Sequence, residues 1–119
     1  MKSACIIAIG DELLNGFTSD TNSQWIKEQV VDYDLEVVKS VVLPDNENSI
    51  NNEVLSSLSF DIVFILGGLG PTHDDITKLV LSKTLNLSLK IDQIHKKKLI
   101  NRFKNIDSIK KTLDSQCLI

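Results

Sequence analysis

Residues 62–77 read IVFILGGLGPTHDDIT, and the fold follows from that stretch. The apolar run Ile62-Val63-Phe64-Ile65-Leu66 passes directly into Gly67-Gly68-Leu69-Gly70-Pro71-Thr72. His73-Asp74-Asp75 come next, and an amphipathic run opens at Ile76. Five apolar residues, rich in β-branched types and without a polar alternate, predict a strand buried on both faces. Three glycines within four residues permit a tight turn and let a ligand approach the main chain closely. Thr72 followed three residues later by Asp75 has the form of a capping box, with Asp in place of Glu, and predicts that a helix starts there. Strand, glycine turn and helix start together make an anion site, because free N–H groups and the helix dipole both favour phosphate. Gly67, Gly68, Gly70 and Thr72 are its candidate ligands. The spacing is neither GxGxxG nor a Walker A loop, since no Gly-Lys-Ser/Thr follows.

Outward from this stretch the chain alternates strands and helices. Residues 3–9 form a first strand that ends at Gly10, and residues 10–16, GDELLNG, form a loop. Residues 20–23 supply N-cap candidates for a helix to about Val31, with Trp25, Ile26 and Val30 on its inner side. A second strand covers residues 35–43, and Pro44-Asp45-Asn46 ends it. Asn46 or Asn48 caps a helix carrying Ile50, Val54, Leu55 and Leu58. After the glycine turn a helix extends to about Leu85, residues 86–91 are an extended link, and a basic helix is expected from Asp92 to about Asn105. This order predicts an α/β protein, a three-layer α/β/α sandwich whose mostly parallel sheet has strand order 2-1-3, occupying residues 1–119 as one domain. Ligands of such sheets lie beyond the C-terminal strand ends. Residues 10–16, 44–46 and 67–75 leave from that edge with most of the glycines and both prolines.

Composition bounds the function. The chain has 119 residues, 42% of them apolar, and a formal net charge of −3. No apolar run approaches the roughly 18 residues of a membrane span. The N-terminus lacks a signal-peptide layout, so the expected compartment is the cytoplasm and no membrane partner is expected. Cys5 and Cys117 suggest neither a disulfide framework nor a zinc site, and Cys5 reads as a buried hydrophobe. Residues 1–75 hold 13 acids and 3 bases, residues 76–119 hold 3 acids and 10 bases. The basic end has no interleaved aromatics, which argues for a solvated helix face or a phosphate-attracting rim over nucleic-acid binding.

Asp74 and Asp75 have two readings. Acids in a first helical turn complement the dipole. Alternatively, carboxylates beside a phosphate site call for a divalent cation between them, which points to Mg²⁺. Asp45 is a turn former or a site residue at the same edge, and Asp11 and Glu12 are similar. His73 reads as a solvent-facing loop residue, and His95 has no assigned role.

Taken together, residues 8–16 (AIGDELLNG), Asp20-Thr21-Asn22, Pro44-Asp45-Asn46, residues 67–72 (GGLGPT) and Asp74-Asp75-Ile76-Thr77 resemble the molybdopterin-binding domain family, in particular its competence/damage-inducible CinA branch. The agreement covers roughly residues 4–104. The resemblance implies an oligomeric α/β/α fold whose glycine turn binds the phosphate of a nucleotide or a pterin, with Gly10 and Thr77 joining the ligand-binding set. It implies functional roles for Asp45 and Asp75, with Asp45, Asp75, Asp74 and Glu12 as the cation ligands. In the CinA branch it implies divalent-metal-dependent hydrolysis of ADP-ribose-type pyrophosphates. The alternatives are molybdopterin adenylyl transfer and a non-catalytic nucleotide-binding or oligomerisation domain. Family members continue into further strands and a Gly/Pro-rich loop, so the chain is expected to lack the family's C-terminal portion.

Overall fold

In the computed structural model, which describes residues 1–73 and 75–89, the first strand occupies the middle of the sheet. β1 (Lys2–Ile9) pairs in parallel with β2 (Leu35–Leu43) on one side and with β3 (Ile62–Leu66) on the other. The strand order is therefore 2-1-3, as the sequence predicts. Residues 4–9 of β1 are at most 1% exposed. Ile6, Ile7 and Ile9 each contribute about 1.5–3 kcal/mol by leaving water, which makes this strand the anchor of the sheet. The register of β1 with β2 slips between Ala4 and Cys5, which skips Val38 and leaves it exposed.

Alternate residues of β1 face opposite layers. Cys5, Ile7 and Ile9 meet Ile50 and Val54 of α3 (Glu47–Ser56) and Val80 of α4 (Thr77–Thr84), with Val63 and Ile65 of β3 packed alongside. On the other face Phe64 shares a small apolar hollow with Ile26 and Val30, which belong to α2 (Thr21–Gln29) and the 3-10 turn after it (Val30–Tyr33). Helices thus cover both faces of a parallel sheet. The Asp20 carboxylate caps α2 by accepting from Ser23 N–H at 3.1 Å, and Asn46 caps α3 by accepting from Ser49 N–H at 3.0 Å.

Several expectations are corrected. All five residues of β3 are half-buried, because β3 lies at an edge of the described sheet and β1 holds its centre. Two apolar runs of similar length look alike in sequence, and only the sheet order separates them. The loop at residues 10–16 contains a helical turn, α1 (Asp11–Leu14), closed by Leu14 N–H donating to Gly10 C=O at 3.2 Å. Trp25 is 61% exposed at the rim of the hollow. Leu55 and Leu58 are also exposed. Leu55 lies about 100° around the helix from Val54, and Leu58 falls beyond the end of α3. The predicted helix from Asp92 to Asn105 and the tail after it lie outside the described residues. So do His95, Phe103, Cys117 and Asp74. No described helix is long and apolar enough to cross a membrane.

Candidate functional site

The C-terminal ends of the three strands bring three loops together. Gly10 N–H donates to Leu43 C=O at 2.9 Å, carrying the ladder one step past β1. Beyond it Asp11 and Asp45 clasp each other: Asp11 N–H donates to Asp45 Oδ2 at 3.2 Å and Asp45 N–H donates to Asp11 Oδ1 at 3.1 Å. The first and second loops are thereby fixed to one another. The third is laid on the end of β1. Gly67 has φ +89°, and a Cβ there would stand 2.1 Å from the Ile9 carbonyl oxygen, so only glycine fits. The Thr77 hydroxyl donates to Gly67 C=O at 2.8 Å and its N–H to Gly68 C=O at 3.2 Å, which ties the start of α4 to the glycine turn.

Asp75 closes this third loop. Its Oδ2 accepts from the Thr72 hydroxyl at 2.5 Å and from Thr72 N–H at 3.2 Å, while Asp75 N–H donates to Thr72 C=O at 3.1 Å. The Thr72–Asp75 pair is thus reciprocal but does not cap the helix. α4 begins at Thr77 after Ile76, with no side-chain cap, because the Asp75 carboxylate turns back into its own loop. Thr72 spends both donors on Asp75, so its part is to position that carboxylate. Thr77 has no exposed surface to offer a ligand, and its hydroxyl holds the glycine turn instead. Gly10 is buried at the strand end, where a Cβ would meet the Glu12 carboxylate at 2.6 Å; a Cβ on Gly70 would meet that of Asp75 at 2.7 Å.

The three loops enclose a cleft of about 480 Å³. Its wall includes Asp11, Glu12, Asp45 and Asp75 together with Gly68 and Thr72, and no Lys or Arg among the described residues. Asp45 and Asp75, the two acids singled out in sequence, therefore face one space. Their environments push them in opposite directions. Burial raises the Asp45 pKa above the ordinary carboxylate range, and the nearby charges of Asp11, Glu12 and Asp75 add to this against the Asp11 N–H bond. The Thr72 hydroxyl lowers the Asp75 pKa, with N–H bonds from Thr72 and Gly70 adding to it against burial. Burial and neighbouring charge thus favour the protonated form of Asp45, while hydrogen bonds favour the charged form of Asp75.

The donor chemistry suits a hard cation. Among the described residues no three His, Cys, Asp or Glu side chains converge as a ready-made metal cage. Magnesium does not require one, since it commonly takes one or two carboxylates plus substrate phosphates. Like charges gathered around Asp45 are the feature such a cation would relieve.

Two residues on the same wall are not singled out as site residues by the sequence: Asn15, although it lies within the AIGDELLNG stretch, and Phe17. The signal available for Phe17 was only a bulky aromatic in an otherwise polar loop. His73 is exposed, as expected.

A family model described as "Probable molybdopterin binding domain" matches residues 5–115. A CinA-like protein of Fusobacterium nucleatum is 38% identical over 114 residues, covering 92% of this chain and 27% of the relative. A CinA-like protein of Thermotoga maritima is 36% identical over 121 residues, covering 100% of this chain and 30% of the relative. The chain thus spans less than a third of the length of these two curated relatives. Among solved structures, the protein CinA of Thermoplasma acidophilum, described as of unknown function, superposes with a TM-score of 0.86 at 28% identity, over 99% of this chain and 70% of that one. The molybdopterin biosynthesis enzyme MoaB of Thermus thermophilus superposes with a TM-score of 0.66 at 20% identity, over 97% and 72%. The second likeness is one of fold.

Proposed function

The chain belongs to the molybdopterin-binding domain family, with CinA-like proteins among its relatives, and from that premise we propose that it is a nucleotide-pyrophosphate hydrolase domain acting on ADP-ribose-type substrates. The observation that carries this reading is the opposed pair Asp45 and Asp75 in one cleft with the glycine turn. Gly68 contributes main chain to the cleft wall, and the Thr77 hydroxyl fills the space a side chain would take, so only backbone is offered there, which suits a phosphate oxygen. Asp75 stays ionised under the hold of Thr72, and Asp45, the more basic carboxylate, orients the attacking water and accepts its proton. Proton transfer of this kind contributes about 10²–10⁴-fold. A divalent cation, when bound, would neutralise charge on the departing phosphate, held by Asp75 with Asp45, Glu12 and Asp74 as the remaining candidate ligands.

The test is turnover of ADP-ribose with Mg²⁺, with a chelator as control, across pH. The Asp45 pKa lies above the ordinary carboxylate value, so its basic form is lost at a higher pH than a free Asp would lose it. The rate should therefore fall with decreasing pH as Asp45, the more basic carboxylate of the pair, takes up its proton. Full turnover with the chelator would remove the cation from the reading. Product from molybdopterin plus ATP, with none from ADP-ribose, would move it to adenylyl transfer. No product from either would leave a binding module.

A homo-oligomer is part of the proposal. Trp25, Val31, Tyr33 and Val38 are 59–73% exposed along one flank that also contains Val30 and Leu35. Contiguous apolar exposure of this kind marks interaction surfaces. Light scattering should report a mass of more than one chain that falls on Tyr33→Glu substitution. A wild-type chain that stays monomeric at every concentration would remove this part.

A further inference from the structure

Phe17 is 85% exposed and lies on the wall of the acidic cleft, the one aromatic side chain there among the described residues. An exposed phenyl ring contributes almost nothing to folding by burial. The backbone on either side of it is nevertheless tied down. Asn15 N–H donates to Asp11 C=O at 2.9 Å, Gly16 N–H to Leu13 C=O at 3.4 Å, and Thr18 N–H to Glu12 C=O at 3.1 Å. Gly16, with φ +79°, turns the chain between them. The ring is thus presented by a backbone that is bonded on both sides, next to the Asn15 side chain on the same wall.

We propose that Phe17 is a stacking platform for the planar heteroaromatic ring of a phosphorylated ligand, and so sets specificity for ring-bearing over ring-free phosphates. The inference rests on the phosphate-binding reading of the same cleft. Base-on-aromatic stacking tolerates any flat ring, because each has a π face, and its removal weakens binding measurably. Asn15, with one amide acceptor and two donors, can meet the polar edge of such a ring. The phosphate then lies by Gly68 while the ring covers the phenyl group from solvent.

The experiment is calorimetric titration of the full chain, wild type and variants, with ADP-ribose (as its methylene-bridged analogue, which is not cleaved), a pterin monophosphate and inorganic pyrophosphate, each with Mg²⁺. Phe17→Ala should weaken ADP-ribose on the order of tenfold, while pyrophosphate changes less than about twofold. Phe17→Trp should restore the affinity, and Phe17→Leu, apolar but without a π face, should not. The same pattern with the pterin in place of ADP-ribose identifies the ring as a pterin and supports the stacking role. Equal losses for ADP-ribose and pyrophosphate, or unchanged ADP-ribose affinity in Phe17→Ala, would overturn it while leaving the phosphate site standing. A wild-type chain that binds none of the three overturns both.

Discussion

Asp75→Asn is expected to lower ADP-ribose turnover by about 10²-fold or more while the chain remains folded, a magnitude set by loss of a carboxylate that would hold the cation at the reacting phosphate. The substitution is nearly isosteric. Its amide oxygen can still accept from the Thr72 hydroxyl and N–H that now meet Oδ2, so the loop keeps its closure. What disappears is the charge. The lowered Asp75 pKa means that the ionised form also stabilises the fold. That stabilisation is present above the ordinary carboxylate pKa and is lost as pH falls through the lower folded value, and the Asn variant should lack this dependence. Parallel measurement of turnover and of circular dichroism separates the two effects. A variant that hydrolyses ADP-ribose at the wild-type rate would remove Asp75 from the reaction.

Gly67→Ala is expected to cost about 3 kcal/mol or more, enough to remove a large part of a total stability of roughly 5–15 kcal/mol. Two effects coincide at this position. The left-handed φ of +89° strains any residue with a Cβ, and that Cβ would meet the Ile9 carbonyl oxygen at 2.1 Å. Ile9 is 1% exposed and paired with Leu43, so it has no room to retreat. Gly16 provides the control. Its φ of +79° is similar, but nothing lies within 4 Å of an added Cβ, and Gly16→Ala should show only the backbone strain of about 1–2 kcal/mol. Urea midpoints of the two variants measure the difference. Equal midpoints would mean that the glycine turn does not rest on β1.

Elements carried by long apolar runs were legible in the sequence. β2 and β3 begin and end where the runs at 35–43 and 62–66 do, and the parallel 2-1-3 order follows from short right-handed crossovers. Pro44-Asp45-Asn46 also read correctly, since a proline stops the ladder and Asn46 caps α3. What the sequence concealed depends on neighbours. The apolar run of β3 reads as a strand buried on both faces, yet it is half-buried at an edge of the described sheet, while Ala4 and Ala8, small and unremarkable in sequence, sit in the strand that is buried on both faces. Thr72 and Asp75 had capping-box spacing, but spacing cannot tell a helix cap from a closed turn when both use the same hydrogen bonds. The sharing of one cleft by Asp45 and Asp75 was legible as a common sheet edge. The opposite displacement of their pKa values was not, because it arises from burial and from Thr72.

The central placement of β1 has a consequence for synthesis on the ribosome. Lys2–Ile9 is made before both of its partners, one of which begins at Leu35 and the other at Ile62. Such distant pairings are slow to form: one edge of β1 waits until Leu43 has emerged and the other until Leu66. Because the loops at Gly10, Asp45 and Gly67 meet only when both partners dock, no shorter nascent intermediate carries the cleft. The assembled cleft and the native topology therefore arrive together during translation.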